Sequence, residues 1–377
     1  MTDSVNASLE SGSGNDKVAI ASQWQLTYWA FKRHKLAVVG FWVIVLFYLV
    51  ALFAEVIAPD DPTDQNRRAV FQPPQAIHFI DHAEDGMHFR PYVYEMKRNR
   101  DPVSLQVTYE RSDTKIYLRL FGEGPAYELW GIFPMKTHLF ASENPRDRFY
   151  FFGADRLGRD MFSRVVYGTR ISMSIGLIGV AISLFLGITL GGISGYYGGR
   201  VDAVIQRLIE FVLSLPTIPI WLALAAALPA SWPIYQQYFV ITLIVSLVGW
   251  TELGRVVRGR FLAMKHDDFV IAARLDGASE ARIIYRHMLP SLTSHIIASL
   301  TLAIPLMILA ETSLSFLGLG LQPPAISWGV LLKEAQNLRS VTQAPWLFIP
   351  GGFVVLAVLA FNFLGDGMRD AADPYGH

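Results

Sequence analysis

The 377-residue chain predicts an all-α polytopic membrane protein with six transmembrane helices and a small β-rich extracytoplasmic insert. Three observations carry that prediction. Hydrophobic residues make up 52% of the chain and charged residues 17%, against about 25% charged in an ordinary soluble domain. The apolar excess is gathered in six blocks, each near the roughly 20 residues that a bilayer core demands: Leu36 to Ile57, Ile171 to Ser194, Leu208 to Leu228, Phe239 to Arg255, Leu292 to Phe316 and Trp346 to Leu364. Between the first two blocks, polar residues alternate with aromatic and β-branched ones, the period-two pattern of half-buried strands.

Taken in chain order, residues 1–30 form a Ser/Gly-rich tail expected to be disordered, and residues 31–58 hold the first span, longer than the core of a signal peptide and so uncleaved. Residues 59–150 form the insert. Its strand-like runs are Tyr92 to Lys97, Leu105 to Glu110, Lys115 to Phe121 and Tyr127 to Phe133, broken at Asp101-Pro102, Ser112-Asp113 and Gly122 to Pro125. Residues 151–377 carry the other five spans. Asp155 to Tyr167 predicts a polar helix lying on the membrane surface, with Arg159, Arg164 and Arg170 at headgroup level. Gly187, Gly191 and Gly195 make a GxxxG ladder that lets another helix approach closely. Pro216 and Pro219 predict a kink in the third span.

Orientation follows from the short loops. Lys32, Arg33 and Lys35 flank the start of the first span, Arg200 and Arg207 follow the second, and seven basic residues lie between Arg255 and Arg286. Pro229 to Tyr238 has none, and Gly318 to Pro345 has only Lys333 and Arg339. The excess of positive charge marks the cytoplasmic side, which puts both termini in the cytoplasm and the insert outside it.

Several function classes are excluded or left without residues to support them. A formal net charge of zero offers no basic field for nucleic acid. The absence of cysteine removes disulfides and thiolate metal sites. His78, Asp81, His82, Glu84 and His88 sit close in sequence but belong to a polar stretch that solvation explains better than a metal. A phosphate-cradling P-loop needs GxxxxGK[ST], and the chain lacks even a Gly-Lys dipeptide; HExxH and GxSxG are absent too. Acidic groups in spans are costly, on the order of 2.5 to 3.5 kcal/mol at mid-bilayer. Glu210 and Glu252 fall near cytoplasmic ends, whereas Glu311 is deeper and is expected to line a polar pathway.

Phe269 to Pro290 reads FVIAARLDGASEARIIYRHMLP, a polar, Arg-rich excursion between two apolar blocks and therefore a cytoplasmic loop. Its composition predicts a short helix over Phe269 to Leu275, a left-handed stop at Gly277 and a second helix opened near Pro290. This stretch resembles the EAA loop of permease subunits in binding-protein-dependent ABC importers. Phe152 to Leu177 (FGADRLGRDMFSRVVYGTRISMSIGL), Phe31 to Pro62 (FKRHKLAVVGFWVIVLFYLVALFAEVIAPDDP), Leu314 to Gly329 (LSFLGLGLQPPAISWG) and Asp370 to Pro374 (DAADP) are similar to the peptide/nickel branch of that family. Ile271 stands where many members have the first Glu of the signature, and His287 where an isoleucine is common. The insert lies outside the matching stretches.

The resemblance implies a type I ABC importer permease fold in a bacterial inner membrane, forming half of a translocation pathway. It implies a homologous second permease subunit, two ATPase subunits that use the ATP, and an extracytoplasmic solute-binding protein. No cofactor is implied for this chain, and no enzyme activity. The solute class implied is oligopeptide-like, with an oligosaccharide or sugar conjugate as the alternative; nickel complexes are carried by the same branch. The coupling loop, about residues 257–290, would contribute Ala272, Ala273, Arg274, Gly277, Leu289 and Pro290: small residues for close docking, glycine for the sharp turn, and a short rigid helix that passes ATPase motion to the spans. A membrane-anchored enzyme or receptor would instead gather catalytic groups in the insert, and a secondary transporter would carry inverted repeats; neither pattern is present in the sequence.

Overall fold

The computed structural model describes residues 23–83, 86–100, 102–103, 107–229, 231–337 and 342–372. Helix α1 (Gln23–Arg33) meets α2 (Lys35–Leu52) at His34, whose side chain accepts from the Ala37 amide and caps the second helix. The tail expected through residue 30 is therefore helical from Gln23, and residues 1–22 lie outside the described residues. A one-turn helix, α3 (Ala54–Ile57), ends the segment before Pro59.

The insert is a four-stranded antiparallel sheet in the order β1 (His78–Ala83), β2 (Gly86–Arg100), β3 (Val107–Leu129), β4 (Phe133–Ser142). Strands expected to stop at Ser112-Asp113 and Gly122 to Pro125 run through both places. The extra residues are absorbed as bulges, where the pairing shifts between Tyr94/Met96 on β2 and between Glu123/Tyr127 on β3. A bulge bends a strand without ending it, so turn-forming residues mark curvature here. The predicted strand Tyr127 to Phe133 is instead a hairpin tip: Leu129 pairs with Phe133 across the turn Trp130 to Ile132, where Trp130 and Gly131 take φ of 55° and 70°. Val93, Ile116, Leu118 and Phe149 form the small core of the lobe. Asp81 is engaged by Lys115 at 2.6 Å and Tyr117 at 2.8 Å, hydrogen bonds that hold its carboxyl below the usual range. No metal-ligating cluster occurs among the described residues.

Helix α4 (Met161–Tyr197) begins at Asp160, whose carboxylate accepts from the Phe162 and Ser163 amides. The surface helix expected over Asp155 to Tyr167 does not exist as a separate element: residues 155–160 form a turn on the Asp155 side chain, which accepts from the Leu157 and Arg159 amides, and Met161 onward joins the long span. Two of the three arginines face inward. Arg164, 1% exposed, and Arg159 both pair with Asp155 and with Glu334. Only Arg170 lies at a helix rim, forked onto Glu55 at 2.7 Å.

The third apolar block is two helices, α5 (Gly199–Ser214) and α6 (Thr217–Ala226), bent by 85°. Pro216 supplies the break: it lacks a donor and forces Leu215 into extended backbone at ψ 135°. Then follow α7 (Ile234–Met264), the loop helix α8 (Asp268–Leu275), α9 (Thr293–Phe316), α10 (Trp328–Lys333) and α11 (Ile349–Ala372). Among the described residues five helices are long and apolar enough to cross a membrane, or six if the bent pair counts as one span. Their shared core gathers Phe47, Met173, Val245, Ile308 and Phe361 around the fully buried Trp328. The glycine ladder of α4 lies against α7, as its pattern predicts: a Cβ on Gly195 would fall 2.7 Å from the Arg258 carbonyl oxygen, and one on Gly187 3.0 Å from Leu253.

Candidate functional site

The loop between α7 and α9 is built outward from the end of the long helices. Val270 and Ala273, on the inner stripe of α8, pack with Tyr196, Val257, Phe261, Ile283, Ile284 and Met288 in a core of their own. The helix stops because Gly277 takes φ +75°. Its amide donates to the Arg274 carbonyl and the Ala278 amide to the Ala273 carbonyl, both at 3.1 Å, which together form a Schellman cap. Ser279 then caps the next helical stretch through the Arg282 amide. That stretch runs from Glu280 through a wide π-turn (Ile283–Met288) and a tight 3-10 turn (Leu289–Leu292) into α9. Pro290 accounts for the irregularity, since it cannot donate to the preceding turn and its ring would strike the Arg286 carbonyl.

The loop is also pinned by side chains. Arg274 donates to the Tyr196 hydroxyl at 3.2 Å and lies 5.5 Å over its ring, and the Tyr197 hydroxyl donates to Glu280. At the root, Arg258 forks onto Asp202 at 2.5 and 2.6 Å, tying α5 to α7. The helix therefore cannot rotate freely against its base. Beside the exposed Asp268 and Arg274 it turns three large apolar side chains outward: Phe269 is 40% exposed, Ile271 43% and Leu275 83%.

The sequence-expected residues thus divide by face. Ala272 is exposed, whereas Ala273 is buried against the chain's own core. Arg274 anchors the helix, Gly277 ends it in open space, Leu289 packs half-buried in the loop core and Pro290 is exposed. Sequence reasoning noted Ile271 only as a departure from the family signature and did not pair it with Leu275 as an outward face. Its signal was the i, i+4 spacing opposite the Val270/Ala273 stripe. No sequence signal pointed to the two tyrosines that hold the loop.

Glu311 has no exposed surface and sits in a closed knot. Its Oε1 accepts from Ser315 at 2.8 Å and Ser327 at 2.6 Å, while Ser327 also caps α10 and Ser172 accepts from the Trp328 amide at 3.0 Å. The pathway-lining position expected for Glu311 is not the one it occupies here: its hydroxyl partners draw it between α4, α9 and α10, where it fastens the segment after α9 to the span. The open surface of α9 lies elsewhere, in an apolar groove of about 410 Å³ that Leu306, Met307, Leu309 and Ala310 share with Trp221 and Glu252.

Several long apolar helices and a capped loop helix with exposed apolar side chains define a helical, multi-pass membrane protein. Residues 187–375 match the family model described as the binding-protein-dependent transport system inner membrane component, and residues 22–74 match the N-terminal TM domain of oligopeptide transport permease C. The chain belongs to this family of ABC transporter permeases, whose members are transport subunits and leave ATP hydrolysis to a separate protein. It is 36% identical over 239 residues to the oligopeptide transport system permease protein OppC of Bacillus subtilis, covering 63% of this chain and 76% of that one. It is 40% identical over 229 residues to the dipeptide transport system permease protein DppC of the same organism, covering 60% and 68%. With the DppC protein of Alkalihalophilus pseudofirmus it shares 30% identity over 360 residues, 95% and 92% of the two chains.

Proposed function

We propose that this chain is the six-span half of a peptide importer, with both termini cytoplasmic, the β-rich insert on the opposite side, and the Asp268–Leu275 helix as the foot that receives an ATPase subunit. The observation that carries the assignment is the loop helix itself. It is rigidly held on its inner stripe, capped by Gly277, and presents Phe269, Ile271 and Leu275 to solvent. An exposed apolar face on a short, fixed helix is a surface that a partner covers. Because the same core holds both α8 and the ends of α4, α7 and α9, a displacement of the foot moves the spans with it as a body. Two ATPases, a second permease and a solute-binding protein complete the machine, and peptide is favoured as solute over a sugar conjugate by relatives named for oligopeptides and dipeptides.

Assembly with candidate ATPase, permease and binding-protein partners in proteoliposomes tests this. ATP-dependent uptake of di- to pentapeptides is expected. ATP-dependent uptake of sugar conjugates alone would overturn the solute, and failure of any ATPase to associate with the loop would overturn the coupling assignment.

A further inference from the structure

We propose that the tip of the β3–β4 hairpin, Leu129 to Met135, is a lipid-immersed anchor seated in the bilayer leaflet at the Leu52 end of the first span. The inference depends on the apolar helices lying in a bilayer and not on which solute is carried or in which direction.

Two hydrogen bonds fix the depth of the hairpin. Higher on it, His138 bonds the Ala58 carbonyl through Nδ1 at 2.6 Å. At its tip, the Trp130 indole N–H donates to the Leu52 carbonyl at 2.8 Å, and its ring lies 6.1 Å from that of Phe53. Six positions of largely helical chain separate those carbonyls, a descent of about 9 Å. Leu52 closes an 18-residue apolar span. The Arg170–Glu55 pair, suited to headgroup level, stands beside the tip contact, since Arg170 also donates to the Ala51 carbonyl at 2.9 Å and to the Leu52 carbonyl at 3.5 Å; Trp130 is thus at the headgroup boundary, and the exposed Ile132 and Phe133 reach into the leaflet.

The tip has the composition for that depth. Trp130 is 46% exposed, Ile132 70%, Phe133 53% and Met135 37%, and charge returns only at Glu128 and Lys136. An indole at the end of a span is the usual occupant of the membrane–water boundary. The turn also satisfies its own backbone, the Gly131 amide donating to Glu128 and the Ile132 amide to Leu129 at 3.1 Å, which an apolar medium requires. Lipid is the occupant because the patch is continuous with the outward face of the first span, where Leu49, Leu52 and Phe53 are exposed beside it. Bulges on β3 curve the hairpin along this path.

The test uses the full chain assembled with its partner subunits in phosphatidylcholine vesicles, with the unmodified complex as background. The subunit has no cysteine of its own. Nitroxide labels on Ile132→Cys, Phe133→Cys and Arg119→Cys are compared for collision with oxygen, which partitions into lipid, and with a water-soluble nickel chelate. Arg119 is exposed on the same strand, on the far side of the Glu123/Tyr127 bulge from the tip. Several-fold higher oxygen-to-nickel accessibility at Ile132 and Phe133 than at Arg119 is the expected result. Nickel access at both tip positions equal to that at Arg119 would overturn the proposal. So would exclusion of both reagents from the tip, which would mean that protein covers it.

Discussion

Leu275→Ala isolates the docking face of the loop helix from its structural base. Leu275 is 83% exposed, so in the free chain its side chain buries little and its loss should leave the fold intact. The substitution removes three carbons, each worth about 0.8 kcal/mol when buried. If an ATPase covers the part now in solvent, the loss is about 2 kcal/mol, or roughly 30-fold in affinity at 1.4 kcal/mol per tenfold. Titration of a fluorescent ATPase subunit against the chain in nanodiscs reads that number directly, and thermal unfolding of the chain alone supplies the control. Affinity within two-fold of the parent, with unfolding unchanged, would refute the assignment of this face. A fall in stability comparable to the fall in affinity would refute the claim that the face is free in the isolated chain.

Further outcomes follow from the same geometry. Gly277→Val forces a branched side chain to φ +75° with no neighbour within 4 Å to clash, so the cost is backbone strain alone, about 1–2 kcal/mol; transport should fall and membrane insertion survive, while Gly277→Asn, which tolerates that conformation, should transport near normally. Gly195→Val places carbon against the Arg258 carbonyl and Phe261 and should cost about 1–3 kcal/mol by overpacking, seen as a lower unfolding temperature in detergent. Topology is checked with an impermeant thiol reagent on intact cells with a permeabilised outer membrane: Asp113→Cys should label and Ser279→Cys should label only after lysis. Asp113 is chosen over its neighbour Ser112 because the latter is 6% exposed.

The sequence by itself determined where most of the long apolar helices lie, the first helix of the loop with its glycine stop, and the sheet character of the insert, because each rests on local chemistry; the second helical stretch of the loop starts at Glu280 and not near Pro290. A run such as Leu36 to Ile57 has no stable place outside an apolar medium, Gly277 stops a helix whatever surrounds it, and period-two alternation suits one backbone only. Local chemistry also explains the errors: Ser112-Asp113 and Gly122 to Pro125 have the composition of turns, yet pairing with β2 and β4 outweighed it and turned them into bulges. Only the tertiary structure decided which way side chains face. Whether Arg164 met headgroups or Asp155 and Glu334 depended on a segment 170 positions away. Whether Glu311 lined a path or was tied to Ser315 and Ser327 depended on how the segment after α9 folds back. Ala272 and Ala273 are the same residue in the same helix, and the packing of Tyr196 and Ile284 beneath one stripe is what leaves the first in solvent and makes the second part of the core.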